Sequence, residues 1–354
     1  MKMKLQKILS RFLKLHPKEI DLSLDRINFL CKKLGNPQNK IKAISVVGTN
    51  GKNSTIQACY SILKEANIKC NVYTSPHIQR INERFIFNNK ELEDDELSEK
   101  IRVLTRGFKD EETFFIKRLS YGVAKIASAF YPKQAIVRMS DFKSNEYYNL
   151  LGGNYFEPTE ENPMIGWRGA ARYYSDQYEY AFGMECKAIK RVRDKMGLNN
   201  VTIMIPFCRT VEELQKVYKV MKKYGLERGK DGLQVYLMAE LPSNILMAEE
   251  FSELIDGFSI GSNDLTQLTL GLDRDSSLVA HIYNERNPAV KRSISNLIKV
   301  AKKTKTKVGI CGQGPSDYPD FAQFLVEEGI DTISVTPDSM LKTIKAIHKI
   351  ETKK

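Results

Sequence analysis

From Thr113 onward, short apolar runs of strand length alternate with stretches whose apolar residues recur at helical spacing. The pattern predicts strands at Ala135–Arg138, Met164–Arg168, Val201–Pro206, Gln234–Ala239, Gly257–Ile260, Lys307–Cys311 and Thr332–Val335. It predicts helices at Phe114–Phe130, Gln177–Met196, Val211–Tyr224, Ser243–Glu253, Ala289–Lys302, Asp317–Glu328 and Met340–Lys349. Strands that alternate with helices imply an α/β fold with a parallel sheet or barrel. Seven strands are one short of the roughly eight that close a TIM-type (β/α)8 barrel.

The earlier part of the chain is patterned differently. Leu22–Leu34 reads as an amphipathic helix ended by Gly35-Asn36-Pro37, and Ile41–Val47 as a buried strand. Gly48-Thr49-Asn50-Gly51-Lys52-Asn53-Ser54 follows as a turn, then a helix at Ile56–Ala66 and a second strand at Cys70–Tyr73. Strand, Gly-Lys loop and helix make the layout of a phosphate-binding loop, in which backbone N–H groups and the helix dipole hold anionic oxygens. On this reading Gly48, Thr49, Asn50, Gly51, Lys52 and Ser54 are candidate nucleotide-binding residues, with ATP as the candidate ligand. The spacing departs from the usual motif, because Asn53 separates Gly-Lys from Ser54. We therefore expect a small P-loop α/β fragment over 1–105, a polar linker over 106–112 and the larger α/β unit over 113–354.

Candidate chemistry lies where the strands of the larger unit end. Glu240 follows Gln234–Ala239, Asp264 follows Gly257–Ile260, and Cys311 closes Lys307–Cys311 within Gly-Ile-Cys-Gly-Gln-Gly. In a parallel barrel, groups at strand C-terminal ends converge on one face. Two carboxylates from consecutive strands come within reach of one Mg²⁺ or Mn²⁺, although Asp264 can equally cap a helix beginning near Leu265. Arg138 ends a strand, and Arg168 sits between small neighbours in Gly166-Trp167-Arg168-Gly169. Each guanidinium can bind an anionic substrate or pair with a structural carboxylate. Asn263, with the Gly261 and Ser262 backbone, can bond a carboxylate or phosphoryl oxygen. Cys311 is the one cysteine in a Gly-rich strand-to-loop turn, and a thiol titrating near its ordinary value of about 8.5 suits proton transfer. His16, His77, His281 and His348 share no motif.

Composition narrows the classes. The formal charge is +12, concentrated in the first 105 residues, with 19 Lys and Arg against 11 Asp and Glu. No nucleic-acid motif accompanies it, so it reads as a lysine-rich surface on an enzyme with anionic ligands. No apolar run approaches the roughly 18 residues needed to span a bilayer, and the basic N-terminus lacks the features of a secretory signal. The six cysteines show no CxxC spacing, so a reducing, cytoplasmic setting is expected, without membrane or nucleic-acid partners.

Several strings then carry a resemblance. They are Val137-Arg138-Met139-Ser140-Asp141-Phe142-Lys143-Ser144-Asn145-Glu146-Tyr147, Glu160 to Gly169, Ala239 to Asn244, Gly257 to Arg274, Asn284-Glu285-Arg286-Asn287 and Gly309 to Asp317. From about Glu111 to Ile350 the chain resembles the C-terminal phosphoenolpyruvate/pyruvate-binding domain of the phosphoenolpyruvate synthase (pyruvate, water dikinase) family. The resemblance implies a Mg-dependent barrel in which a phosphohistidine donates its phosphoryl group to pyruvate enolate. It implies that Glu240 and Asp264 hold the metal, that Arg138, Arg168, Glu240, Gly261, Ser262, Asn263 and Asp264 bind substrate, and that Cys311 supplies the proton.

The family's first barrel strand, with its arginine, has no counterpart in residues 90–112, and neither its Gly-Gly-x-Thr-x-His motif nor its ATP-grasp domain is found. An unclosed barrel is expected to recruit a replacement strand or to self-associate. Over residues 13–90 the chain resembles the N-terminal end of the Mur-ligase-like folylpolyglutamate synthases, through Leu15-His16-Pro17, Val47 to Lys52 and Tyr73-Thr74-Ser75-Pro76-His77. That resemblance implies ATP phosphates at the first loop, in an ATP-dependent ligase fragment.

Overall fold

A computed structural model describes residues 44, 52–73, 85–91, 108, 110–150, 153 and 156–352. The chain divides into two compact units, Met1–Glu99 and Lys100–Lys354. In the first, the described residues form helix α1 (Lys52–Glu65) and an antiparallel sheet of β1 (Val72–Tyr73), β2 (Phe85–Phe87) and β3 (Lys90–Glu91). Strands β2 and β3 make a two-residue hairpin through Asn88 and Asn89, both at positive φ (52° and 64°). Asparagine tolerates that backbone region in tight hairpins. The Asn89 side chain ties the hairpin down: its Oδ1 accepts from Cys70 N (3.1 Å) and its Nδ2 donates to Ile68 O (2.9 Å). The predicted helix at Leu22–Leu34, the loop Gly48–Gly51 and the predicted strand at Ile41–Val47, apart from the exposed Ile44, lie outside the described residues.

In the second unit, α2 (Glu111–Phe130) leads into β4 (Ala135–Arg138), followed by the short α3 (Ser144–Tyr148) and α4 (Ala170–Tyr173). Helix α5 (Glu179–Lys190), continued by a π-helical turn (Arg191–Lys195), precedes β5 (Val201–Ile205), α6 (Val211–Lys223) and β6 (Val235–Ala239). Then come α7 (Pro242–Leu246), α8 (Ala248–Leu254), β7 (Gly257–Ile260), α9 (Ser262–Leu270), α10 (Pro288–Thr304) and β8 (Lys307–Ile310). The unit ends with α11 (Gly314–Asp317), α12 (Pro319–Glu328), β9 (Thr332–Ile333) and α13 (Met340–Glu351). Strands β4 to β9 form one parallel sheet in sequence order.

The central strands β5 to β7 are buried along their whole length, on both faces of the sheet, which is why they read as apolar runs rather than alternating ones. One face, with the helices laid on it, holds the main core, including Ile203, Ile205, Leu237, Phe258, Val308 and Ile310 against Phe182, Leu214, Phe251, Ile294, Leu297 and Phe321. Met204, Tyr236 and Met238 point the other way and pack with Cys311. Each fully buried phenylalanine contributes about 2–3 kcal/mol of transfer free energy.

Three sequence expectations are corrected. Met164–Arg168 is not a strand: β4 pairs directly with β5, Ala135 opposite Val201, which leaves no place between them. The segment is instead a series of turns, with Glu160 accepting from Trp167 N (2.9 Å). The described sheet therefore has six strands, not seven, and among the described residues β4 and β9 are each paired on one side only. The predicted helix Ser243–Glu253 is two helices, broken at Met247 (φ −109°, ψ 29°).

Arg193, in the π-helical turn, anchors the N-terminal end of β5. Its guanidinium donates to the carbonyls of Asn199 (2.7 Å), Val201 (2.6 Å) and Asp231 (2.8 Å). Arg193→Ala leaves those acceptors without their donor and should lower the unfolding free energy by about 2–4 kcal/mol. Urea denaturation checks this; a midpoint equal to the parent's would show that the anchor contributes nothing.

Candidate functional site

Strand register builds the site. Ala239 pairs with Ile260 and Ile260 with Ile310, so the residues that follow β6, β7 and β8 come to one level. Glu240 follows β6, Gly261 follows β7 and Cys311 follows β8; the Cys311 N–H donates to Ile260 O (3.0 Å). The approach is too close for side chains at two positions. A Cβ at Gly261 would lie 2.7 Å from Glu240 Oε2, and one at Gly312 would strike Ser262 Oγ.

Glu240 is buried, and its Oε1 accepts from Phe207 N (2.7 Å). Asn244, in α7, fixes the turn that presents it, accepting from Glu240 N (3.2 Å) and Leu241 N (3.0 Å). Asp264 lies in the first turn of α9, whose N-terminus has no side-chain cap; the capping role is not the one it takes. One carboxylate oxygen each from Asp141, Glu240 and Asp264 lies within 4.8 Å of the others. Asp141 is not among the candidates that the sequence marks. It stands three residues beyond Arg138, while Asp264 stands four beyond Ile260, so the strand-end rule that points to Asp264 covers Asp141 as well.

Arg168 joins these acids. Its Nε donates to Asp141 Oδ1 (3.0 Å), and its Nη2 donates to Asp141 Oδ2 (2.6 Å) and Asp264 Oδ2 (2.9 Å). The guanidinium lies over the Phe207 ring at 3.9 Å. The next residue, Gly169, has φ +55°, and a Cβ there would lie 2.5 Å from Phe207 Cβ. Both sequence readings of this arginine thus meet in one place, since it pairs with carboxylates and faces the cavity.

Arg138, half exposed, sits 4.0 Å from Asp141. Arg138, Arg168, Glu240, Gly261, Asn263, Asp264 and Cys311 all line one cavity of about 290 Å³. Ser262 does not line it; its hydroxyl is buried and donates to Glu285. The Gly48 to Gly51 loop, and the side chains of Lys52 and Ser54, lie outside the described residues.

Burial, reinforced by the charges of Asp264 and Asp141, pushes the Glu240 carboxyl well above its ordinary value, against the pull of Arg168. Burial works against the Arg168 charge, but its bonds to Asp141 and the surrounding carboxylates outweigh it and raise its pKa. Burial also pushes the Cys311 thiol up, although a Ser259 hydrogen bond opposes this. The ordinary thiol value expected from the sequence is therefore corrected: Cys311 stays protonated further into the alkaline range. The donor set is made of carboxylate oxygens, which suits a hard divalent cation such as Mg²⁺ or Mn²⁺. Both oxygens of Asp141 are engaged by Arg168, whereas Asp264 gives Arg168 only Oδ2.

The parallel α/β sheet, with acids, arginines and a thiol just past its strand ends, places the unit among the barrel-like folds whose sites gather at strand C-terminal ends. Residues 84–352 match the family described as PEP-utilising enzyme, PEP-binding domain, and the chain belongs to it. Phosphoenolpyruvate synthase of Aquifex aeolicus (strain VF5) is 68% identical over 253 residues, covering 72% of this chain and 30% of that protein. Those of Synechocystis sp. (strain ATCC 27184 / PCC 6803 / Kazusa) and Escherichia coli (strain K12) are 62% and 55% identical, covering 74% and 72% of this chain and 32% of each protein. The chain spans about a third of the length of these curated relatives. Among solved structures, an HpcH/HpaI aldolase/citrate lyase family protein from Burkholderia cenocepacia J2315 matches at TM-score 0.34 and 13% identity, over 66% of this chain and 91% of that one. A likeness at that score carries no argument. Among the described residues, no helix is long and apolar enough to cross a membrane.

The raised Glu240 pKa has a sign. Between its unfolded and folded values the folded state binds more protons than the unfolded one, so stability falls as pH rises through that window. Glu240→Gln removes this term and keeps an acceptor for Phe207 N. In EDTA at pH 7.5 the variant should melt a few degrees above the parent, and the gap should close toward acid pH. A variant that melts lower at pH 7.5 would show that the buried carboxylate is not a burden on the fold.

Proposed function

We propose that the larger unit binds pyruvate or phosphoenolpyruvate with Mg²⁺ and carries the enolate half of the pyruvate, water dikinase reaction. The observation that carries this reading is the meeting of Asp141, Glu240 and Asp264 oxygens within 4.8 Å, in a cavity also lined by Arg138, Arg168 and Cys311. Membership of the PEP-binding-domain family supports it. The phosphoryl donor on this reading is a phosphohistidine carried outside the described unit.

Mg²⁺ held by Glu240 and Asp264 would supply positive charge that stabilises an enolate. The protein's own groups do the rest. Arg138, whose side chain is half exposed to the cavity, binds the substrate carboxylate or the incoming phosphoryl oxygens. Arg168 is held rigid by Asp141, so its charge beside the site needs no reorganisation as the enolate forms. Asn263 and the Gly261 and Ser262 backbone orient the carboxylate. The Cys311 Sγ–H, kept protonated by burial, delivers its proton to carbon 3 of the enolate and recovers it in the reverse direction.

The sides of β4 and β9 that have no strand partner among the described residues support self-association of the chain through these edges, which light scattering would read as a mass above that of the monomer.

Oxalate, a planar stand-in for pyruvate enolate, should raise the melting temperature only when Mg²⁺ is present. Glu240→Gln with Asp264→Asn should abolish that rise; a double variant stabilised as much as the parent would overturn the metal assignment. The chain should also exchange the methyl protons of pyruvate with solvent in the presence of Mg²⁺. Cys311→Ala should slow this exchange by about 10²-fold or more while leaving oxalate binding nearly intact. Exchange at the parental rate would show that the proton takes another route.

A further inference from the structure

Glu285 is buried, though no part of the proposed chemistry uses it. It lies in the segment between a 3₁₀ turn (Ala280–Ile282) and α10. Its Oε1 accepts from two groups that belong to different site loops. One is the Ser262 hydroxyl, at the first residue of α9 and two residues before Asp264; the other is Gly314 N (3.2 Å), three residues past Cys311. These loops are already in close contact, since a Cβ at Gly312 would lie 2.8 Å from Ser262 N. A buried carboxylate is costly unless its bonds compensate. Here they clasp the loop that carries the thiol to the loop that carries the metal-binding carboxylate.

The clasp is presented from a firm base. Arg286 stacks on Tyr318 at 4.2 Å and reaches Asp320 at 3.6 Å. Asn287 caps α10 through Ala289 N (2.9 Å), with Pro288 in the first turn.

We infer that Glu285 is a positioning residue that sets the Cys311 loop against the Ser262 turn, and so fixes the thiol relative to a ligand held by Glu240 and Asp264. The inference rests on the proposed function for what the thiol does, but not for where it is held. Proton transfer to carbon tolerates little displacement, and a misplacement of about 1 Å costs about 10²-fold. Asp264 keeps its bond to Arg168 without Glu285, so ligand affinity depends on the clasp far less than thiol placement does.

The test uses the full chain and three readouts: alkylation of Cys311 followed by peptide mass spectrometry, oxalate binding with Mg²⁺, and pyruvate proton exchange. Glu285→Ala should speed Cys311 alkylation by about tenfold as the loop loosens. It should slow exchange by about 10²-fold and leave oxalate affinity within about threefold. Glu285→Gln should restore all three toward the parent, because both observed bonds use a single acceptor oxygen that the amide retains. Alkylation at the parental rate in E285A overturns the inference. So does loss of oxalate affinity in proportion to exchange, or an E285Q variant as impaired as E285A. If E285A fails to fold, Ser262→Ala removes one of the two bonds and should move the readouts in the same direction. A parent that shows no exchange would defeat the proposed function, while the alkylation and oxalate arms would still decide the role of Glu285.

Discussion

The contact on which the site depends is the Arg168 guanidinium between Asp141 and Asp264. Asp141 comes from the loop after β4, Arg168 from the turns before α4, and Asp264 from the first turn of α9. The two aspartates are far apart in sequence and would repel each other as bare carboxylates. Arg168 bonds both and lies flat on Phe207, whose own N–H donates to Glu240. One planar cation therefore orders two loops and sits one residue contact from a third carboxylate. Lysine could not reproduce this, because a single ammonium cannot supply the forked bonds to Asp141 and stack on an aromatic ring at once.

The walls around this cation are built of stiff parts. Glu160 accepts from Ser144 and from Trp167 N, which fixes the approach to Arg168 from both sides. Arg172 donates to both oxygens of Glu157 (2.8 and 2.6 Å) and stacks on Trp167 at 4.1 Å. The turns at Met164–Arg168 are thus held by side-chain bonds rather than by a strand ladder. The short apolar run reads as a strand, yet Ile165 within it is exposed, and Trp167 and Arg168 are held by Arg172, Glu160 and Asp141 instead of a ladder.

What the sequence makes legible follows from strand ends. The apolar runs locate β4 to β9, and the residues just beyond them include Glu240, Asp264 and Cys311, which the structure brings to one cavity. Asp141 lies as near its strand end as Asp264 does, but its place in the site rests on the two bonds from Arg168, and no spacing encodes that contact. Glu285 escapes for the same reason, since its role depends on two loops meeting in space and no spacing encodes that. The break at Met247 is hidden too, because α7 and α8 share an uninterrupted helical pattern.

The charges explain why so many groups must cooperate here. Three carboxylates converge on one cavity, and the arginines beside them are Arg168, fully engaged, and Arg138, half exposed and 4.0 Å from Asp141. In their ionised forms the acids carry more charge than Arg168 alone balances. Burial of Glu240 leaves little water to make up the difference, which is why its carboxyl is driven toward the protonated form. A divalent cation on Glu240 and Asp264 would reverse that preference without disturbing the bidentate bond of Arg168 to Asp141. The pair Arg168–Asp264 could persist as well, because Arg168 takes only Oδ2 of that carboxylate. The bonds of Arg168 thus hold Asp141 and Asp264 together with no ion between them.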